Sequence, residues 1–262
     1  MSPAPVTAKS ARLVLDVQGV AHRFGGLRVL EDVNIAAPES QIVGLIGPNG
    51  SGKTTLFNII TGFIRPRSGT VSVNGRDVAQ DSIQQRSRDG LLRTFQTPKV
   101  FDHMTVLENV MMGMHAHTSS GVLATMFAMP SARRELASTR ASALQTCERF
   151  GIAHLAATRA GELPAGLRRV VELARAHQAK PKLLLLDEPS SGLSGPEIDT
   201  LRGWIRVFAS EGTTVLLVSH DMGLMDVCDV VNVLYFGRVI ATGPMAAIRD
   251  DQKVRDAYLG AA

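Results

Sequence analysis

The chain has 262 residues, 45% hydrophobic and 20% charged, with a net charge of +4. That length suits one large domain, or one domain carrying an insertion, and the composition is that of a globular α/β protein. The charge excess is too small to argue for nucleic acid, though it suits an anionic nucleotide or membrane surface. Cys147 and Cys228 are far apart and in no C-x-x-C or metal-spaced cluster, which points to a reducing cytosol. From Met1 to Arg12 the chain is rich in Pro, Ala, Ser and Lys and has no continuous apolar core; 1–12 reads as a flexible tail, not a signal peptide. Leu13–Val17 and Val29–Ile35 alternate like strands. Ile42–Ile46 is a short apolar run, and a helical pattern follows from Thr55 to Ile60. Val71-Ser72-Val73 before Asn74-Gly75 signals a hairpin. From about Phe101 to Gly161 the strand signals vanish and Met, Ala, Leu, Arg and Glu dominate, so a helical insertion of about 101–165 is expected. Leu183–Leu186 reads as a buried parallel strand, followed by helix 196–210 and strands 213–218 and 230–236. No run approaches the ~18 apolar residues of a membrane span.

The chemistry begins at Gly47. Gly47, Pro48, Asn49, Gly50, Ser51, Gly52, Lys53 and Thr54 complete G-x-x-x-x-G-K-[ST], with a strand before them and a helix opening at Thr55. Glycines let successive backbone N–H groups turn inward around a polyphosphate, and the helix N-terminus adds partial positive charge. Lys53 can reach the terminal phosphates and Thr54 can ligate Mg²⁺. These residues imply a nucleoside triphosphate site.

The second group is Leu183-Leu-Leu-Leu-Asp187-Glu188-Pro189. A buried strand ending in a carboxylate sets Asp187 at the sheet edge beside the phosphate loop, where it can hold Mg²⁺ through water. Glu188 points differently and can orient or deprotonate an attacking water. No internal repeat is visible, so one nucleotide-binding unit is expected.

With both groups in place, the chain resembles the ATP-binding-cassette ATPases over nearly its whole length. Gly47–Thr54 look like that family's Walker A loop and Leu183–Glu188 like Walker B with its catalytic glutamate. Arg93-Thr-Phe-Gln96 resembles the Q-loop, whose glutamine contacts Mg²⁺ and the attacking water. Leu163-Pro-Ala-Gly166-Leu167 sits where the signature does, Ser219-His220-Asp221 resembles the switch histidine, and Phe24 takes the place of the aromatic ring against adenine. The resemblance implies an α/β P-loop NTPase core with a parallel sheet, an N-terminal antiparallel β subdomain and an inserted helical subdomain, all within one ATPase domain, 13–262. It also implies ATP and Mg²⁺ as ligands, with nucleotide contacts running through Thr55 and, across a dimer, Gly166.

Phe24-Gly-Gly-Leu27, Arg93–Gln96, Met104-Thr-Val-Leu-Glu-Asn-Val110 and the ending Ala257-Tyr-Leu-Gly260 are similar to the ATPases of branched-chain amino-acid importers. The implied partners are transmembrane permease subunits, a second cassette ATPase and, indirectly, an extracytoplasmic binding protein, at the inner face of the membrane and without nucleic acid. A sister group in lipopolysaccharide export is the alternative. A soluble cassette protein would usually carry two cassettes or a long coiled coil. A GTPase would carry Asn-Lys-x-Asp, which is absent.

Three residues, in two elements, depart from the family. Pro164 and Leu167 replace the usual Ser and Gln of the signature, and Ser194 stands where an Asp is usual. Six methionines (104, 111, 112, 114, 126 and 129) cluster in the insertion as gap-filling core or as an adaptable docking surface. Arg168 and Arg169 read as a solvated helix face. His103, His115, His117 and His154 show no metal-ligand spacing.

Overall fold

The computed structural model describes residues 12–117 and 130–259. Residues 1–11 of the expected tail, Met126 and Met129 lie outside those residues; Arg12 is described, its carbonyl accepting from Glu39 N–H at 2.9 Å. Strands β1 (Leu13–Phe24), β2 (Leu27–Pro38), β4 (Ser68–Val73) and β5 (Arg76–Asp77) form an antiparallel sheet in the order β2-β1-β4-β5. The β4–β5 turn is the Asn74-Gly75 hairpin, with φ of 53° and 78° as a two-residue type I′ turn requires.

The second sheet holds β3 (Ile42–Ile46), β6 (Leu91–Arg93), β7 (Leu183–Asp187), β8 (Thr214–Val218), β9 (Val230–Tyr235) and β10 (Arg238–Gly243), in the order β10-β9-β3-β8-β7-β6. Every pair in it is parallel except β9–β10. Buried on both faces, the central strands read as continuous apolar runs, and their period-2 alternation divides the core. Ile42, Ile46, Leu184, Leu186, Val215 and Leu217 face one cluster with the helices. Val43, Leu45, Leu183, Leu185, Leu216 and Val218 face the other, which includes Leu56, Phe57, Ile59 and Ile60 of α1 (Lys53–Thr61) and the inner face of the antiparallel sheet.

Helix α1 ends at Gly62, whose φ of 87° is left-handed. Its last carbonyls meet a buried cation. Arg86, on α2 (Ile83–Arg88), is only 2% exposed and donates to Ile59 O, Ile60 O and Val78 O at 2.7, 2.6 and 2.5 Å. A guanidinium is favoured at a helix C-terminus, where the macrodipole is negative.

Between β6 and β7 the described elements are helical: α3 (Val106–Met111), α4 (Pro130–Arg149) and α5 (Ala165–Gln178), with short 3₁₀ turns. Helix α6 (Gly195–Ser210) follows β7 and the short α7 (Met222–Met225) follows β8; α8 (Met245–Asp250) and α9 (Gln252–Leu259) end the chain. Met111 packs partly buried against the core cluster, as gap-filling core requires. Among the described residues no helix is long and apolar enough to cross a membrane.

The expectation of a solvated face at Arg168 and Arg169 is wrong for Arg169. It is 2% exposed and forms an ion pair with the equally buried Glu172, Nη1 to Oε2 at 2.6 Å. Arg168 is half-buried.

Candidate functional site

Four adjacent parallel strands, β3, β8, β7 and β6, deliver their following loops to one edge of the sheet. In this doubly wound arrangement, ligands bind outside the carboxyl ends of the strands. A cavity of about 830 Å³ opens there, lined by Phe24, Gly47 to Thr55, Gln96, Asp187, Glu188 and His220. Every residue the sequence assigns to nucleotide, Mg²⁺ or catalysis lines this cleft except Gly166. That glycine opens α5 and lines a separate small cleft with Leu193, Glu197 and Trp204.

Two glycines of the phosphate loop are needed sterically. A Cβ on Gly47 would lie 2.1 Å from Leu234 O, and one on Gly52, at φ 110°, would lie 2.7 Å from Leu30 Cδ2. Lys53 folds over the loop, its Nζ donating to Gly47 O at 2.6 Å and Pro48 O at 3.0 Å. Burial lowers its pKa, opposed by the charges of Glu188 and Asp187. Ser51 is 2% exposed and its Oγ has no protein partner. A buried hydroxyl without a partner, beside an ammonium held only by carbonyls, is chemistry that a polyphosphate would complete.

Asp187 ends β7 with one carboxylate oxygen occupied: Arg93 Nη2 donates to Oδ2 at 2.6 Å. Arg93 also donates to Asn58 Oδ1 at 2.7 Å and lies over the rings of Phe57 and Phe95. No group of three His, Cys, Asp or Glu among the described residues could hold a metal ion. Thr54, Gln96 and Asp187 line one cavity and offer only oxygen donors to a metal, a set whose chemistry fits a Mg²⁺ that takes further ligands from phosphate and water.

Glu188 sits at φ +47°, a left-handed conformation costly for this residue type. Its N–H donates to Val218 O at 2.9 Å, which ties it to β8. The carboxylate meets His220 twice, Oε2 lying 2.8 Å from the ring Nδ1 and accepting from the backbone N–H at 3.3 Å. A carboxylate held by an imidazole at the mouth of a phosphate site is placed for general-base work. Phe24, at the end of β1, is 51% exposed, its ring meeting His22 edge-on at 4.7 Å.

Sequence reasoning gave no role to three groups. Arg169 donates to Phe95 O at 2.8 Å and also to Gln96 O, and Glu172 accepts from Lys99 N–H at 3.0 Å, so α5 grips the Gln96 loop. The available signal was position: Arg169 and Glu172 share a helical stripe with Leu173 and Ala176. Arg93 stood in a quoted motif without a role. Tyr258, from α9, lines the same cavity.

A phosphate loop, a strand-end acid pair, a glutamine loop and a histidine around one cleft define a cassette-type phosphate-loop ATPase. A family model described as ABC transporter matches residues 30–191, and the chain belongs to that family. A second model, described as Branched-chain amino acid ATP-binding cassette transporter, matches residues 238–262. The chain is 39% identical over 254 residues to the high-affinity branched-chain amino acid transport ATP-binding protein BraF of Pseudomonas aeruginosa, covering 96% of this chain and 100% of that one. To LivG of Escherichia coli K12 it is 38% identical, covering 95% and 98%. The lipopolysaccharide export system ATP-binding protein LptB of Haemophilus influenzae is 31% identical over 94% of this chain and 97% of its own. The crystal structure of the ADP conformation of an ATP-binding cassette of an ABC transporter superposes with a TM-score of 0.80 at 28% identity, covering 95% of this chain and 99% of that one.

Proposed function

We propose that this chain is the ATP-hydrolysing subunit of an importer for branched-chain amino acids or related small polar compounds. It would work on the cytoplasmic face of the membrane against permease subunits. The observation that carries the reading is the ordered set of Lys53, Gln96, Asp187, Glu188 and His220 around one cavity. The names of the relatives at 38–39% identity, with the C-terminal match at 238–262, favour import over the lipid export of the 31% relative.

Phe24 offers a π-face to adenine, and the loop from Gly47 to Thr55 binds the phosphates through backbone N–H groups and Lys53. Thr54, Gln96 and Asp187 would hold Mg²⁺, which supplies charge neutralisation on the phosphates. Glu188 accepts a proton from the attacking water, and His220 keeps that carboxylate aimed across the cleft. Gly166 acts on the nucleotide of a second cassette. A cavity of about 270 Å³, lined by Leu92, Thr94, Met112, Gly113 and Arg175, offers the permease a place beside the Gln96 loop.

The second cassette is a different, more typical subunit. Pro164 and Leu167 lack the hydrogen-bonding side chains usual in the signature. Ser194 is spent within its own chain, where Oγ donates to Glu197 Oε2 at 2.5 Å and Glu197 accepts from Ser194 N–H at 2.8 Å, capping α6. This chain therefore supplies a good Walker A half-site and a poor signature half-site.

The test is reconstitution with the permease subunits, a second ATPase and a binding protein in proteoliposomes. ATP-dependent uptake of radiolabelled leucine, lost in Glu188→Gln, is expected. Lipid extraction without uptake of amino acids or amides would overturn the importer reading.

A further inference from the structure

We propose that Arg93 is a positioning residue of the metal site, a frame whose planar guanidinium ties together the three segments that supply Thr54, Gln96 and Asp187. The inference rests on reading those three side chains as the Mg²⁺ set, and it gives a role to a buried charge that the ATPase chemistry leaves unused.

The placement is built from strand register upward. In the parallel pair β6–β7, Arg93 lies opposite Leu185, so the two side chains leave the same face of the sheet. Asp187 is two residues beyond Leu185 and shares that face by the period of a strand. It is the face that packs on α1, since Leu91, Leu183 and Leu185 join Phe57 and Ile60 in one buried cluster. An arginine at the last position of β6 is thus delivered between α1 and the end of β7, where its side chain is only 8% exposed. On α1, Asn58 follows Thr54 by one helical turn, which sets the two side chains on one face.

Each arm of the guanidinium ends on a different segment. Nη2 donates to Asp187 Oδ2 at 2.6 Å. Nη1 donates to Asn58 Oδ1 at 2.7 Å and to Thr61 Oγ1 at 3.4 Å, both on α1. Cζ lies over the ring of Phe57, 5.4 Å from its centroid, and over that of Phe95 at 5.2 Å. Phe95 immediately precedes Gln96, and its carbonyl accepts from Arg169, so ring and backbone of that residue are both held. One buried cation thus touches the helix that bears Thr54, the strand end that bears Asp187 and the residue before Gln96. With Oδ2 spent on the arginine, the Asp187 carboxylate is oriented where it lines the cavity with Thr54 and Gln96. Mg²⁺ demands a near-octahedral oxygen shell, so ligands drawn from three separate segments must be held in mutual register. Lysine could not hold them, because its ammonium is a point charge without a planar fork.

Arg93→Lys keeps the charge and loses the fork, and Asn58→Ala removes one anchor while leaving the ion pair. Both hold the charge around Asp187 constant, so a change in metal dependence reads geometry and not electrostatics. ATP binding to the full chain is measured by calorimetric titration in EDTA and at a series of Mg²⁺ concentrations. Thermal melting in EDTA is followed alongside, and Asp187→Asn serves as the reference for lost metal binding. The expected result for both variants is parental ATP affinity in EDTA, with the half-saturating Mg²⁺ concentration raised roughly three- to tenfold, as for loss of one hydrogen bond. Parental Mg²⁺ dependence in either variant, where Asp187→Asn loses it, overturns the frame; a fall in melting temperature then assigns Arg93 to packing alone. Equal weakening of ATP with and without Mg²⁺ places the defect in the phosphate loop and equally overturns it. Parental Mg²⁺ dependence in Asp187→Asn overturns the metal reading itself.

Discussion

Replacing Arg169 by Met tests whether α5 holds the Gln96 loop through a buried charge pair. Arg169 and Glu172 are 3% and 4% exposed at their side chains, so each is desolvated against the other. The substitution removes donors to Phe95 O, Gln96 O and Glu172 Oε2, and Met refills part of the volume. Breaking one partner of a buried pair costs about 3–5 kcal/mol, most of it the stranded charge. Glu172 keeps the Lys99 N–H and the nearby Arg175 charge, which puts the expected loss at the low end, about 3 kcal/mol. Burial already raises the Glu172 carboxyl above its ordinary 4.5, against the Lys99 N–H and Arg169. Without Arg169 that rise grows. A carboxyl raised in the folded state disfavours ionisation there, so the deficit is smallest below the unfolded value and increases as pH rises through the folded one. Urea denaturation at several pH values reads both quantities, and Arg169→Met/Glu172→Met should recover more than half of the loss. A deficit under about 1 kcal/mol, or one that does not change with pH, would refute the reasoning.

In the reconstituted transporter, Glu188→Gln should cost at least ~10²-fold in turnover, as for loss of a general base, and far more than the equivalent change in the second ATPase. Equal losses, or a fully active homodimer of this chain, would sink the asymmetric pairing. Phe24→Ala should weaken ATP by about 1 kcal/mol and leave turnover at saturating ATP largely intact, because stacking on a base is not specific to the transition state; an unchanged Michaelis constant moves adenine recognition elsewhere. Burial pushes the thiols of Cys147 and Cys228 up to about 11 and about 12. Neither should react with maleimide at neutral pH until the chain is denatured, and rapid labelling of the native protein would contradict their burial.

What the sequence made legible was local. The phosphate loop is contiguous, and the strand before it and helix after it carry their own periodicities, so Lys53 and Thr54 could be placed without tertiary information. Asp187 and Glu188 were readable for the same reason, since a run of four leucines ending in carboxylates has few homes outside a buried parallel strand. The Asn74-Gly75 turn likewise announces its own geometry. The supporting shell was not legible because its partners are remote. Arg93 meets Asp187 across 94 positions, and Arg169 meets Phe95 across 74. A charged side chain on a helix is solvated by default, and only the neighbouring loop, whose carbonyls it satisfies, turns Arg169 inward. The left-handed φ of Glu188 was equally invisible, since the backbone there is tied to Val218 on another strand.

The guanidinium of Arg86 at the end of α1 bears on the order in which this chain matures. Residues 47–61 contain the whole nucleotide-gripping segment, yet the carbonyls of Ile59 and Ile60 find their partner 27 and 26 positions later. A nascent chain that has emerged only to the β4–β5 hairpin therefore owns the motif and its Gly62 stop, but not the guanidinium that the carbonyls of Ile59 and Ile60 share. Cooperativity is built in: the gripping segment and α2 gain protection as one unit, because each leaves a desolvated polar group behind without the other. Pulsed hydrogen exchange during refolding should show amides of 56–61 and 86–90 becoming protected in the same phase, so that competence to hold nucleotide arrives only after residue 86 has docked.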